Sequence, residues 1–205
     1  VDVVAHSMGG LISRYYISRS GDYHDTIRKL IMVATPNHGA TAWDELLGSL
    51  AAQAGGKHKK ANKDLYCKSS FMQRLNDGES YGKHLRPGVQ YAIIYGRRHE
   101  YRYATKFGFV EEDLLMVEND GVVTTDSALL NGVIAYRFDR CIHSGALRDV
   151  YPQDTSVTED RTVWKRIRSL LLRNIRQARL RTPKAIVTRI KGSVVRSAGF
   201  RRKIQ

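Results

Sequence analysis

Residues 1–12 read Val-Asp-Val-Val-Ala-His-Ser-Met-Gly-Gly-Leu-Ile, a stretch that combines a strand, a sharp turn and the start of a helix. Its β-branched valines are typical of a strand that is buried on both faces. Beyond the two glycines, apolar side chains recur at helical spacing as far as Ile17. Because Ala5 and Gly9 flank Ser7 in the pattern small-x-Ser-x-Gly, the sequence predicts a nucleophile elbow that exposes the Ser7 hydroxyl.

The pentapeptide is weak evidence by itself, because chance supplies such a match in about one of six chains of this length. The alternative is that Ser7 caps the following helix, which is a common use of serine. A nucleophilic serine needs a base to take its proton, and that base needs a carboxylate that fixes its tautomer. The interpretation therefore depends on whether an acid and a histidine follow in the order Ser, Asp, His, which is the order of α/β-hydrolases.

Candidates for both partners follow in that order. Asp120 lies in an Asp-Gly turn, and His143 follows the alternating, strand-like segment 132–138. We therefore predict a catalytic triad of Ser7, Asp120 and His143, with the backbone N–H of Met8 as an oxyanion donor.

Other residues compete for the same roles. Asp126 is the second choice for the acid, ahead of the other nearby carboxylates, which are Asp113, Glu118 and Asp139. His6 adjoins the nucleophile, and we expect it to pack beside or support the site rather than to act as the base. His38 is interpreted as a loop histidine, with a place in the pocket wall left open. His58 and His84 lie in polar stretches and are expected to be solvated.

Several local matches make the sequence resemble the lipase branch of the α/β-hydrolases, bacterial triacylglycerol lipases in particular. They span residues 1 to about 150 and comprise the elbow, the position of His143, and the segments Ala34-Thr35-Pro36-Asn37-His38-Gly39 and Asn119-Asp120-Gly121-Val122-Val123. The resemblance implies a partial α/β-hydrolase fold, with a parallel sheet from the elbow strand onward and helices on both faces. It also implies a hydrolase that cleaves lipid or small esters through an acyl-enzyme without a cofactor. Acyl transfer, GPI-type deacylation and thioester hydrolysis share the triad and stay open.

No metal site is predicted. Some lipases of this family hold calcium through an aspartate just beyond the catalytic histidine, but here the nearest acid after His143 is Asp149. No pair of histidines or cysteines has the spacing of metal ligands. The two cysteines, Cys67 and Cys141, permit one disulfide, and two reduced thiols are an equal alternative.

The 205 residues suffice for one domain with a substantial core. We assign residues 1–160 to the hydrolase domain, with a lid-like insertion at about 41–86, and residues 161–205 to a terminal segment. About four strands normally precede an elbow strand, so we expect this chain to correspond to the C-terminal half of a hydrolase. The second oxyanion donor precedes the elbow in such folds, and losing one donor costs about 10²–10³ in turnover. We therefore expect little or no esterase activity from the isolated chain.

The formal net charge of +14 lies almost entirely in residues 161–205, which contain 15 lysines and arginines and no acid. Apolar residues on one face predict a terminal helix over 161–180 that packs on the sheet. Beyond Pro183 the basic sequence suits either a segment that binds an anionic membrane surface or a solvated tail. If the protein is not an enzyme, the alternative is a non-catalytic protein that associates with membranes or binds a partner through this tail. No recognition motif indicates nucleic acid. No apolar run is long enough for a transmembrane helix, and the compartment stays open.

The coarse pattern predicts the following further elements. They are strands at 1–5, 30–34, 89–95 and 132–138, helices at 8–19, 43–50 and 65–75, and a Tyr/Arg-rich loop at 97–109.

Overall fold

The structure is a computed structural model that describes residues 1–19, 24–39, 64–79, 83–106 and 109–176, with the side chains of 99–117 left out. The predicted helix at 43–50, most of the lid-like insertion and the basic sequence beyond Pro183 lie outside the described residues.

Within the described residues, seven strands and four α-helices follow one another. They are β1 (Asp2–His6), α1 (Met8–Arg19), β2 (Lys29–Val33), α2 (Ser70–Asn76), β3 (Gln90–Lys106), β4 (Phe109–Asn119), α3 (Thr125–Ala128), β5 (Ile134–Asp139), β6 (Cys141–Ile142), β7 (Thr155–Ser156) and α4 (Arg161–Leu172).

A parallel sheet in the order β1-β2-β3-β5 forms the centre of the molecule. Its register places Ala5, Met32, Ile93 and Ala135 at one level across the four strands. Every residue of β2 is buried, and the uninterrupted apolar run that follows Lys29 is typical of a strand that is covered on both faces. Among the described residues, β1 pairs with β2 alone.

Helices cover both faces of this sheet. Leu30 and Met32 point to the face that also contains Ile17 of α1. Ile31 and Val33 point to the opposite face, where they meet the apolar side chains of α4, namely Val163, Ile167 and Leu170. The predicted partial α/β-hydrolase architecture is therefore confirmed.

The prediction of a loop at 97–109 was wrong. β3 continues through residue 106 and pairs with β4 as an antiparallel ribbon, from Arg98 opposite Asn119 to Lys106 opposite Phe109. The tyrosines of this stretch favour an extended backbone, and a strand ladder supplies the hydrogen bonds that a loop would take from water. Because the partner strand lies later in the chain, local composition did not reveal the pairing.

The terminal helix is shorter than the predicted range 161–180. It begins after Asp160, whose side chain accepts hydrogen bonds from the backbone N–H groups of Thr162 and Val163, and it ends at Leu172. At its C-terminus the buried Lys29 ammonium donates to the carbonyl oxygens of Leu170, Leu171 and Arg173 at 2.8–3.0 Å. These contacts fix the end of α4 at the beginning of β2.

Candidate active site

Ser7 lies in the turn between β1 and α1 with φ +54°, a conformation that few non-glycine residues adopt. Its N–H donates to the carbonyl oxygen of Val33 at 2.8 Å, and its own carbonyl accepts from Gly10 N–H at 3.0 Å. A helix N-cap residue usually has an extended backbone, so this left-handed conformation distinguishes Ser7 from an ordinary cap. The strained strand-to-helix turn is the geometry of a nucleophile elbow.

The structure brings together the three residues of the predicted triad. His143 Nε2 lies 3.0 Å from Ser7 Oγ, and His143 Nδ1 lies 2.9 Å from Asp120 Oδ2. Because a carboxylate only accepts hydrogen bonds, this arrangement assigns the proton to Nδ1 and leaves Nε2 free to accept from the serine hydroxyl. Asp120 is 1% exposed and His143 is 2% exposed, so water does not compete for the hydrogen bond between them.

The second carboxylate oxygen of Asp120 is also hydrogen-bonded. Asp120 Oδ1 accepts hydrogen bonds from the backbone N–H groups of Val122 at 2.9 Å and Val123 at 2.6 Å. The turn places Gly121 at φ +92°, where a side chain would be strained, and this explains the Asp-Gly pair. One oxygen is thus fixed by the turn while the other faces the imidazole.

Gly96 shapes the candidate site and was not among the predicted residues. A Cβ atom there would lie 2.2 Å from the carbonyl oxygen of Cys141 and 3.0 Å from Cβ of Asp120. Because Gly96 has no side chain, Asp120 and the backbone of Cys141 can both pack closely against β3. An isolated glycine within a strand pattern is the signal that could have found it.

The remaining candidates take other positions. Met8 is the first residue of α1, directly after Ser7, so its backbone N–H lies at a helix N-terminus, and its oxyanion role stays a prediction. Asp126 lies in the first turn of α3 and not in the hydrogen-bonded triad. His38 Nε2 contacts Glu79 Oε2 at 2.6 Å. His6 Nε2 lies 2.9 Å from the carbonyl oxygen of His143, which agrees with the expected supporting position.

The expectation that His84 is solvated was wrong, because its side chain is buried at 1% exposure. Burial is the main cause that lowers its pKa to about 4. Arg14, His38 and Arg19 lower it further, against the opposing charge of Glu79. The polar sequence around His84 did not reveal that its contacts come from distant segments.

Cys67 and Cys141 are both free thiols. Within the part of the chain that the structure describes, no group of three or more histidine, cysteine, aspartate and glutamate side chains is arranged to hold a metal ion. None of the described helices is both long and apolar enough to cross a membrane.

In comparisons with known proteins, the PGAP1-like alpha/beta domain family matches residues 1–113. The solved structures that resemble the chain include phospholipase PlaB from Legionella pneumophila, with 16% identity and a TM-score of 0.50 over 82% of this chain and 46% of that one. The mature lipase BlEst2 from Bacillus licheniformis has 23% identity and a TM-score of 0.47, over 70% and 58% of the two chains. EstA from Clostridium botulinum has 13% identity and a TM-score of 0.45, over 87% and 65%.

The chain spans about half the length of the first two of these structures. At such identities the likeness concerns the fold alone. No curated protein matches the sequence significantly.

Proposed function

The chain belongs to the PGAP1-like alpha/beta domain family, and on this premise we propose that it is a serine hydrolase of the lipase or carboxylesterase type, with Ser7, Asp120 and His143 as its catalytic triad. The observation that supports the proposal most strongly is the unbroken hydrogen-bond chain from Asp120 through His143 to Ser7. The left-handed backbone of Ser7 adds a second, independent argument.

The proposed reaction begins when Ser7 Oγ attacks the carbonyl carbon of an acyl ester while His143 Nε2 takes the hydroxyl proton. Asp120 stabilises the resulting imidazolium, and the Met8 N–H donates to the oxyanion. When the tetrahedral intermediate collapses, the ester C–O bond breaks and His143 gives its proton to the leaving alcohol. Water then attacks the acyl-Ser7 with the same base, which releases the carboxylic acid and restores Ser7.

These steps require no cofactor, and the proposed substrates are lipid esters or small esters. If an alcohol replaces water in the second half-reaction, the same residues carry out acyl transfer. Deacylation of a lipid, including the GPI type, and hydrolysis of a thioester need no further group. The identity of the acyl acceptor is therefore a question of binding rather than of the triad.

A fluorophosphonate probe on the full chain tests this proposal, because it reacts covalently with an activated serine. We expect labelling at Ser7 that Ser7→Ala abolishes. Ser13→Ala is the matched control, since Ser13 Oγ only donates to the Gly9 carbonyl at 2.9 Å within α1. The proposal is contradicted if neither the wild type nor Ser13→Ala is labelled, or if Ser7→Ala is still labelled. Turnover of a p-nitrophenyl ester tests separately the prediction that the isolated chain has little or no esterase activity.

A second candidate function is association with an anionic membrane surface through residues 161–205, in the described part through α4. The outward face of this helix is cationic, and it also presents Trp164 at 53% exposure and Leu172 at 73%. The exposed cations of this helix include Arg161, Lys165 and Arg168. Exposed aromatic and apolar side chains among cations are typical of helices that lie on anionic lipid.

Co-sedimentation with vesicles tests this second candidate. We expect the full chain to bind vesicles of phosphatidylcholine with phosphatidylserine and to dissociate as salt increases, but not to bind phosphatidylcholine alone. The double variant Lys165→Glu/Arg168→Glu loses binding. Lys68→Glu/Arg74→Glu makes the same charge change at exposed positions elsewhere and retains it. Equal binding to both kinds of vesicle, or equal loss in both double variants, contradicts the proposal.

A further inference from the structure

His6 contacts the backbone of the proposed catalytic base. As the last residue of β1, it stands directly before Ser7, and its Nε2 lies 2.9 Å from the carbonyl oxygen of His143. A carbonyl oxygen only accepts, so His6 Nε2 is the donor. The two imidazole rings lie with their centroids 4.8 Å apart at an angle of 45°, so they adjoin without stacking.

This contact completes the anchoring of His143. On the other side of the same residue, the His143 N–H donates to the carbonyl oxygen of Asp120 at 2.8 Å. The backbone of His143 is therefore hydrogen-bonded on both sides. Its N–H binds the turn that carries Asp120, and its carbonyl oxygen binds His6 at the end of β1. Each of these bonds joins the base to one of the two elements that carry its catalytic partners.

We propose that His6 is a positioning residue that holds the backbone of His143 so that Nε2 of the base stays within hydrogen-bonding distance of Ser7. The inference rests on the proposed hydrolase function. His6 touches neither the substrate nor the reacting atoms in this scheme. A displacement of about 1 Å between reacting groups costs on the order of 10²-fold in rate, so a fixed backbone at the base matters for the reaction.

The electrostatics of His6 suit this position. Burial is the main cause that lowers the pKa of His6, and the charge of His143 adds to it, while the hydrogen bond to the His143 carbonyl and the charge of Asp120 act in the opposite direction. The lowered pKa favours the neutral ring, which donates this hydrogen bond when its proton is on Nε2. A second positive charge 4.8 Å from the imidazolium of His143 would oppose the proton transfer from Ser7.

Two substitutions separate the hydrogen bond from packing. His6→Leu removes the donor, and His6→Gln offers an amide N–H in its place. On the full chain, we expect His6→Leu to slow fluorophosphonate labelling of Ser7 about tenfold between pH 6 and 9, and His6→Gln to stay within about threefold of the wild type. Thermal unfolding is measured beside both, and His24→Gln at an exposed position is the control. Labelling of His6→Leu at the wild-type rate, or no recovery in His6→Gln, overturns the inference.

Nitrogen-15 NMR of the histidine-labelled full chain gives a readout that needs no reaction. We expect the pKa of His6 to lie below its ordinary value and the neutral ring to carry its proton on Nε2. A proton on Nδ1 alone overturns the inference, because Nε2 could then not donate to the His143 carbonyl. If the wild type does not react with the probe, the proposed function fails, and the NMR result still decides whether His6 makes the bond.

Discussion

A methyl group on Gly10 would lie 2.1 Å from the side-chain oxygen of Thr35. Only glycine therefore fits at position 10, where α1 meets the segment after β2. Thr35 is fully buried and has a short, β-branched side chain that cannot move aside. The contact joins two of the motifs on which the family resemblance rests, the elbow and the Thr35–Gly39 segment. Their joint occurrence in the sequence thus has a steric reason.

Gly10→Ala is expected to lower the free energy of unfolding by about 1–3 kcal/mol, because the added methyl overpacks this contact. It should also displace Ser7 and slow its labelling by the fluorophosphonate probe. Gly9→Ala is the matched control, since its methyl would lie 3.8 Å from Cβ of Ala5, an ordinary contact, and alanine favours a helix. Urea unfolding of the two variants checks the prediction. Equal stability of both variants would show that the region around Thr35 adapts.

Asp120→Asn is expected to slow labelling of Ser7 by at least 10²-fold. The oxygen of the introduced amide would stay with the N–H groups of Val122 and Val123, so the amide NH₂ would face His143. That donor makes Nδ1 of the base an acceptor and moves the ring proton to Nε2, which then cannot accept from Ser7.

The same substitution at Asp126, the second candidate for the acid, serves as the control for Asp120→Asn. Asp126 lies in α3, outside the hydrogen-bonded triad, and Asp126→Asn should label like the wild type. If Asp126→Asn were the slower variant, the acid would have been assigned to the wrong residue.

Much of the sheet could be predicted because its signals are local. The apolar run of β2 and the strand–turn–helix pattern around Ser7 lie within short windows, and the observed bounds agree with the predicted ones within about two residues. The ribbon of β3 and β4 could not be predicted in this way. The ribbon forms by pairing between two segments, and neither segment alone has a sequence pattern that clearly predicts a strand.

The candidate site shows the same difference between features that can be predicted from the sequence and features that depend on distant segments. The order of Ser7, Asp120 and His143 predicted which side chains the fold brings together, because chain order is a property of the fold. The close approach at Gly96 and the burial of His84 depend on which distant backbone lies opposite, and composition around each residue carries no record of that.

Lys29→Met is expected to destabilise the protein by about 2–3 kcal/mol, because the Lys29 ammonium satisfies the carbonyl oxygens at the end of α4 and these would be left without a donor. Lys165→Met, at an exposed position on the same helix, should change stability by less than about 0.5 kcal/mol. Urea unfolding measures both values. Hydrogen exchange of the α4 amides should accelerate in the first variant only, and protection that stays unchanged would contradict the assigned role of Lys29.

Cys141 is expected to resist alkylation in the folded protein. Burial, and to a lesser degree the nearby carboxylates of Asp160, Asp154 and Asp139, raises the pKa of its thiol to about 12. The reactive thiolate is therefore nearly absent at pH 8. Treatment with iodoacetamide at that pH, followed by mass spectrometry of peptides, should find Cys141 unmodified until a denaturant is added. Modification of Cys141 in the native protein at a rate typical of exposed thiols would contradict this burial.

His84 is expected to make the folded protein less stable as the pH falls from about 6.5 to about 4. In the folded state burial lowers its pKa to about 4, whereas in the unfolded chain it titrates near 6.5. Between these values the unfolded state binds a proton that the folded state does not, so the free energy of unfolding decreases with decreasing pH. Above pH 6.5 the titration of His84 no longer changes the free energy of unfolding. Below pH 4 the loss of stability that it causes has reached its full size.

The variant His84→Phe isolates this effect, because neither ring nitrogen of His84 has a hydrogen-bond partner among the described residues and phenylalanine keeps a similar buried volume. Urea unfolding at a series of pH values should show a shallower loss of stability for His84→Phe than for the wild type between pH 6.5 and 4. His24→Phe, at an exposed position, controls for the loss of a histidine as such. Parallel curves for the wild type and His84→Phe would mean that His84 takes up its proton in the folded protein.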